Sequence, residues 1–466
     1  TKNLPIWDDE LYLEAHRGTY TTKADLKRQN RKAELLYRDV EIISVLASLF
    51  GGDRVQMEIN EGWKLILVNQ FHDTLPGTHR PEGVPDIKRD YETAFQIGND
   101  LLKKASQYIV HNLDKKADML YFNTLSWERS DLISIPESMT GGSTISGKSY
   151  QFYDGMLYCK EIVPPLGWRA ADLSAQNHAE DPIATFENNV IETPLYQIKF
   201  NEDGEIESLY DKSTDHDVLT GPGNQFQVFE DDPGYKFSAW DIAYHIEEYQ
   251  HLIKMTSPWE MVANGNLFAV LRSEWKVLNS SIQQEIWLYR ENPRIDFRTT
   301  ANWQDSRKLL KVAFPLNVRT RTATYDLPFG NIERATHRNT SWEQAKFEVC
   351  GHKWADLSEG NYGVALLNDC KYGYDCRENV LRLSLLRSPV RPDPKSDLGD
   401  HEFTYSLLPH AGNWRQGEVD RHAYELNIPV HVVCADASGD GPIPSSFSLL
   451  SLDAPSVIVE ALKQPE

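Results

Sequence analysis

Cysteine is scarce in this sequence. The five present in 466 residues, Cys159, Cys350, Cys370, Cys376 and Cys434, are widely spaced, odd in number and without a CxxC pair. That pattern argues against a disulfide framework and against a cysteine zinc site, and it fits a reducing compartment. Long apolar runs are missing too: no stretch of about 18 apolar residues occurs, so no membrane-spanning helix is expected. The first residues, Thr1 to Trp7, lack both the basic start and the apolar stretch of a signal peptide. Positive charge is in deficit, with 48 Lys and Arg against 69 Asp and Glu and a formal net charge of −21. Such a surface repels phosphate backbones, which argues against a nucleic-acid partner and is compatible with neutral substrates such as sugars. There is no fixed-period repeat and no low-complexity tract. Asn279 and Asn339 head Asn-x-Ser/Thr triplets, which arise too often by chance to establish secretion.

What remains is an ordinary globular balance, 40% hydrophobic and 25% charged, in a chain long enough for several cores. At roughly 100–200 residues per domain, two to four domains are expected. From Lys23 to Phe50 the residues Leu26, Ala33, Leu36, Val40, Ile43, Leu46 and Leu49 recur at three- and four-residue steps, the spacing of one helix face. Gly51-Gly52 ends that helix. A second helix is predicted over Ile59–Asn69, with Trp63, Ile66 and Leu67 on one side, and a third from about Pro85 to Leu113. Three helices on short loops make a bundle. After Lys115 short runs rich in Val, Ile, Tyr and Phe alternate with Gly, Pro, Asn and Asp turns; Leu132–Ile135, Leu195–Phe200, Ile282–Tyr289, Ile295–Thr300 and Leu381–Leu386 are examples. These predict antiparallel β-sandwiches. Pro164-Pro165-Leu166-Gly167 reads as the end of a small first β domain, and Ala171–Ile183 as a linker. The fold class is therefore multidomain α+β, a three-helix bundle followed by antiparallel β-sandwich domains.

The sharpest local feature is Asn69-Gln70-Phe71-His72-Asp73-Thr74-Leu75-Pro76-Gly77-Thr78, a polar cluster at the end of an apolar helix, directly before a Pro-Gly turn. A neutral imidazole is a good zinc ligand, and an adjacent carboxylate can bond a sugar hydroxyl or orient the site. Spacing alone equally allows a helix-end cap beside a satisfied histidine. One histidine is also short of the three or four ligands zinc needs.

The same decapeptide resembles the segment of glycoside hydrolase family 38 α-mannosidases that supplies a histidine to zinc. The likeness continues in order along nearly the whole chain. Glu10 to Glu14, His16 to Thr22 and Asn30-Arg31-Lys32 resemble the end of the family's catalytic barrel and the start of its bundle. Ile206 to Lys212, Phe229-Glu230-Asp231, Ala239 to Ile242, Lys308 to Pro315 and Thr336 to Trp342 resemble its large β domain. So do Gly363 to Asp375, Leu386-Arg387-Ser388-Pro389 and Leu408 to Gly412. The flavour is that of the cytosolic or vacuolar and bacterial branch.

The resemblance implies residues 1–22 as the end of a catalytic barrel and 23–115 as the helical middle domain. It implies 116–182 as a small β domain with linker, and 183–466 as a large galactose-mutarotase-like β domain. It implies a zinc-dependent retaining α-mannosidase that removes terminal α-linked mannose from oligosaccharides. In that chemistry an Asp nucleophile and a second Asp, acting as acid and then base, split one displacement into two. Within that picture His72 is a Zn2+ ligand and Asp73 a sugar-hydroxyl contact, with Gln70 and Tyr20 as neighbours. Trp240, Asp241, His337 and Arg338 either reach the substrate from the β domain or pack between domains. Asp369, Tyr372, Tyr374 and Arg377 are candidates to border the pocket, while His410 reads as a turn residue.

The family's other zinc ligands should appear as a His-x-Asp pair, which is lacking, since His72-Asp73 and His216-Asp217 are adjacent. Asp8, Asp9 and Glu10 read as a solvated acidic lead-in. No catalytic carboxylate is therefore assigned here. The nucleophile and acid are expected upstream, in an N-terminal barrel segment that is the expected partner together with a mannose-containing oligosaccharide. Homo-oligomerisation is left open. The expected location is cytoplasmic, with the vacuole or lysosome as alternative. The competing reading is a non-catalytic carbohydrate-binding or assembly module that packs on a separate barrel.

Overall fold

Three helices form where the apolar spacing places them: α1 at Ala24–Ser48, α2 at Gln56–Asn69 and α3 at Val84–His111. The computed structural model describes residues 4–174, 181–234, 236, 238–435, 437 and 439–465. Tyr37, Val40, Ile59, Ile66, Tyr91 and Ala94 fill the space between the helices. Gly62 lets α2 approach α1, because a Cβ there would lie 1.6 Å from the Tyr37 hydroxyl, which itself donates to the Ala94 carbonyl at 2.8 Å. Two apolar residues assigned to the bundle face water instead. Leu49 lies past the end of α1, and Leu67 stands 58% exposed on the outer side of α2.

The helices' other face packs beneath a small sheet. Its central strand Met119–Asn123 pairs antiparallel with Gly167–Ala171 on one side and His431–Cys434 on the other, and Ser446–Ser448 flanks Gly167–Ala171. Ile42, Leu46, Ile109, Phe122, Trp168 and Ile443 share this core, with Trp168 stacked on Phe447 at 4.7 Å. Two expectations are corrected here. The large β domain does not run from 183 to the end, because the final stretch returns to complete the small sheet. Pro164 to Gly167 is a turn between Met156–Val163 and Gly167–Ala171, not a domain end. Of the linker expected at 171–183, residues 175–180 lie outside the described residues.

The large domain holds a five-stranded antiparallel sheet over residues 185–217 and two larger antiparallel sheets. A nine-stranded sheet contains the meander Lys254–Asn264, Phe268–Val277, Ser280–Tyr289 and Ile295–Trp303, continued by Gly399–Ala411. A six-stranded sheet is centred on Lys308–Pro315 and Val380–Arg387. Alternate residues of both, among them Ile286, Phe297, Val312, Phe314, Leu383 and Tyr405, close one apolar core. His410 is not a turn residue: it lies buried in Gly399–Ala411 with Nε2 2.8 Å from Asp356 Oδ2.

The bundle and the large domain are locked together through α1. Its first amides have no local cap; Lys23 and Ala24 donate their backbone N–H groups to the Asp397 carboxylate, both at 2.6 Å. A remote acid thus caps the helix and complements its dipole. Arg31 donates to Tyr372 Oη and Asn368 Oδ1, both at 3.0 Å, and lies over the Tyr372 ring at 4.2 Å. Lys32 pairs with Asp369 at 3.4 Å. Asp369 and Tyr372 are therefore interdomain fasteners, while the fully buried Tyr374 accepts from Asn368 Nδ2 at 2.5 Å within the large domain and Arg377 lies 3.6 Å from Glu247.

His352 sits in the same junction, T-shaped against Tyr372. Burial, reinforced by Arg31 and Lys353, pushes its pKa from 6.5 down to about 3. The folded state keeps this ring neutral while the unfolded chain protonates it. Its contribution to stability is therefore complete above the unfolded value and is lost as pH falls toward the folded one. By about pH 5 the loss reaches about 2 kcal/mol. Urea titrations at about pH 7.5 and pH 5 should show His352→Gln losing that much less than the parent; equal losses would refute a neutral buried ring.

The candidate site at the end of helix α2

α2 ends at Asn69, whose side chain donates back to the Leu65 carbonyl at 2.9 Å and across to Asp90 at 3.3 Å. The chain then turns on its own hydrogen bonds. Thr74 N–H donates to Phe71 O at 2.8 Å, Gly77 N–H to Thr74 O at 2.9 Å, and Thr78 N–H to Asp73 O at 3.2 Å. Gly77 is required, at φ +80° and with Lys23 Cγ only 2.6 Å from where a Cβ would be. Lys27, buried in α1, ties the turn from below by donating to the carbonyls of Leu75, at 3.0 Å, and Thr22. Burial pulls the Lys27 pKa down to about 7, against the pull of Asp397.

Within this frame the candidates divide. Gln70 points inward, donating to Glu34 Oε1 at 2.7 Å and Asn30 Oδ1 at 3.2 Å. His72 and Asp73 point out, with side chains 77% and 53% exposed, His72 Nε2 3.6 Å from Asp73 Oδ2, and the imidazole against the Phe71 ring. The histidine is therefore exposed rather than held in a core, while the Asp73 carboxylate also accepts from the Thr78 hydroxyl within the turn at 3.3 Å. The pair offers at most two metal donors. Among the described residues no group of three or more His, Cys, Asp or Glu is arranged to hold a metal ion. The described residues thus do not make a complete zinc site. What the turn presents is one imidazole and one carboxylate, open to whatever lies against this face.

Tyr20, Trp240 and Asp241 gather at the segment 17–23, whose Lys23 lies against Gly77 of the turn. Gly18 N–H donates to the Trp240 carbonyl at 2.9 Å. Arg17 reaches the buried Asp241 carboxylate at 3.3 Å, so that acid is taken up in an ion pair. Tyr20, in the same segment, has its phenol pKa raised by burial. His337 is engaged by Glu343 at 3.3 Å and Arg338 lies 3.9 Å from Glu247. Glu10 is not a solvated acid: it accepts from Arg334 at 2.6 and 2.9 Å, while Asp8 and Asp9 remain exposed. Sequence reasoning missed Arg17, Lys27, Arg387 and Asp397. Arg387 joins Thr22 to the backbone of 238–241, and only the fold brings these positions together.

Comparison with known proteins defines the class. A profile described as alpha mannosidase middle domain matches residues 14–109, and one described as glycosyl hydrolases family 38 C-terminal domain matches residues 191–395. The chain belongs to glycosyl hydrolase family 38 and carries its middle and C-terminal domains. Among individual proteins it is similar to alpha-mannosidase 2C1 of Mus musculus, 34% identical over 99% of this chain and 44% of that protein. It is also similar to alpha-mannosidase of Saccharomyces cerevisiae, 33% identical over 91% of this chain and 38% of that protein. The chain thus spans less than half the length of the curated relatives it matches. The crystal structure of an alpha-mannosidase from Enterococcus faecalis V583 superposes with a TM-score of 0.74 at 16% identity, covering 90% of this chain and 58% of that one, a likeness of fold. Among the described residues no helix is long and apolar enough to cross a membrane.

Proposed function

We propose that the protein to which this chain belongs is a retaining α-mannosidase that removes terminal α-linked mannose from oligosaccharides. The observation that carries this reading is the outward pair His72-Asp73, held on a self-bonded turn within a chain of family 38. His72 serves as one zinc ligand and Asp73 as a sugar-hydroxyl contact; the other ligands, the nucleophile and the acid come from polypeptide outside this chain. A zinc ion there supplies Lewis-acid grip on substrate hydroxyls. Val68 and Phe71, 66% and 56% exposed, join Leu67 as an apolar surface beside His72, suited to cover by that polypeptide. Five free thiols support a cytoplasmic location.

The test is hydrolysis of p-nitrophenyl α-mannoside by the intact gene product. Activity should vanish on chelation and return with zinc. His72→Ala should lower it by more than about a hundredfold, beyond the usual effect of a ligand's outer-shell partner. Activity that survives chelation and is unchanged in His72→Ala overturns the assignment.

A further inference from the structure

A cleft of 520 Å³ opens between the first turn of α1 and the outer face of the nine-stranded sheet. Strand register makes its wall. Ser281 lies opposite Asn302, which lies opposite Asp400. In the next row Gln283 lies opposite Thr300, which lies opposite Glu402. These alternate positions are exposed, while Ile282, Thr299, Ala301 and Phe403 between them are buried. Three neighbouring strands therefore present two rows of three polar side chains on one face. The rows are partly cross-linked: Asn302 Nδ2 donates to Asp400 Oδ1 at 2.6 Å, and Arg28 of α1 pairs with Glu402 at 3.0 Å.

A polar sheet face is ordinarily no more than solvated surface. Lys371 makes this one different. Only 4% exposed, it lines the cleft with its ammonium 4.1 Å from the Phe403 ring centroid. Among the described residues its backbone is bonded, the N–H to Asn368 Oδ1 at 2.6 Å and the carbonyl to Arg31 at 3.2 Å, whereas its ammonium makes no hydrogen bond and no ion pair and is free to meet a ligand in the cleft. A buried ammonium without hydrogen-bond partners is costly unless something polar is held against it. The lining charges are Asp25, Asp400 and Glu402 against Arg28 and Lys371, with Arg28 already paired. The lining thus carries one more acid than base, which disfavours a phosphate or carboxylate. Amides, hydroxyls, carboxylates and one ammonium together match a ligand whose groups all both donate and accept. A second cleft shares Asp25, Asp400 and His401 and reaches Lys23 and His79, so the groove extends toward the 72–78 turn.

We propose that this cleft is a binding site for a short neutral glycan segment, separate from the His72 turn, with Lys371 and the Thr300 and Asn302 rows as its contacts. The choice of a mannose glycan as probe rests on the mannosidase reading; the site itself does not. Isothermal titration of the 466-residue chain with α-linked mannotriose should give saturable binding. Lys371→Met and Thr300→Arg should each weaken it by at least about tenfold. Thr300→Arg fills the cleft from an exposed position, so it separates loss of the site from loss of the fold. His72→Ala should leave binding unchanged. Absence of saturable binding by the parent chain, or parent-like binding by Thr300→Arg and Lys371→Met, overturns the proposal. So does competition by inorganic phosphate, or loss of binding in His72→Ala alone. Failure of the hydrolysis assay with binding retained would count against the mannosidase reading and not against this site.

Discussion

Replacing Arg387 by Met lowers the unfolding free energy by about 3–5 kcal/mol, the loss expected when one half of a buried ion pair is left alone. Arg387 has no solvent exposure, and its Nε lies 2.8 Å from Asp231 Oδ2, also inaccessible. Its other nitrogens donate to Thr22 Oγ1 at 2.9 Å and to the carbonyls of Ala239, Ser238 and Asp241 at 3.0, 2.7 and 2.5 Å. Burial pushes the Asp231 carboxyl above the usual range and Arg387 pulls it back. Without the guanidinium, Asp231 must stay ionised and unpaired or take up a proton. The variant's deficit should therefore shrink as pH falls, and Arg387→Met with Asp231→Asn should recover part of it. Urea titrations with an unchanged slope are the measurement. A double variant no more stable than the single one would assign the loss to the stranded carbonyls instead. The site shares in the effect, because Arg387 joins Thr22 of the 18–23 segment to the carbonyls of Ser238, Ala239 and Asp241.

Lys311→Met should cost a similar amount, about 3–5 kcal/mol, for a different arrangement of charge. Lys311 Nζ donates to Glu348 and, at 2.5 Å, to Asp375, all three residues being buried. Arg382 adds a bond to Asp375 Oδ1 at 2.8 Å. Burial raises the Glu348 carboxyl, whereas Arg382 and Lys311 outweigh burial at Asp375 and hold that carboxyl low. Removing the ammonium leaves two carboxylates facing one guanidinium in a dry interior. Glu348 is the weaker anion and should take the proton. The prediction is therefore that Glu348→Gln rescues Lys311→Met better than Asp375→Asn does, measured as unfolding free energies of the three variants and the two doubles. Equal rescue would mean the proton is not localised on Glu348. Tyr12 donates its hydroxyl to the Glu348 carbonyl at 2.5 Å, so the amino-terminal strap should loosen with the cluster.

How far these features were legible in the sequence depends on their range along the chain. α1, α2 and α3 announce themselves because a helix face repeats within a few residues. The inner strands of the large domain do so by alternation. Leu67 shows the limit: an apolar residue at a helical step reads the same whether it faces a core or a surface to be covered. His72-Asp73 stood out because the pair precedes a Pro-Gly turn, yet only the structure shows Gln70 turned inward and His72 turned out. Lys311 lies 37 residues from Glu348 and 64 from Asp375, and Asp397 caps a helix 373 residues earlier. No local pattern encodes such partnerships. The polar rows at Ser281, Thr300 and Glu402 look like the outer halves of ordinary strands until register aligns them.

The return of 431–434 and 446–448 to the strand at 119–123 and its neighbour imposes an order on folding. During synthesis, the layer over α1 and α3 lacks two of its four strands until residues 431–448 have emerged. The large domain can close beforehand from contacts nearer in sequence, so the helical end should mature last and spend longest with Trp168 and its surroundings uncovered. Deleting residues 428–466 should therefore do more harm to the sequence-distant helices α1 and α3 than to the adjoining β core. Limited proteolysis would read that damage first in α1 and α3.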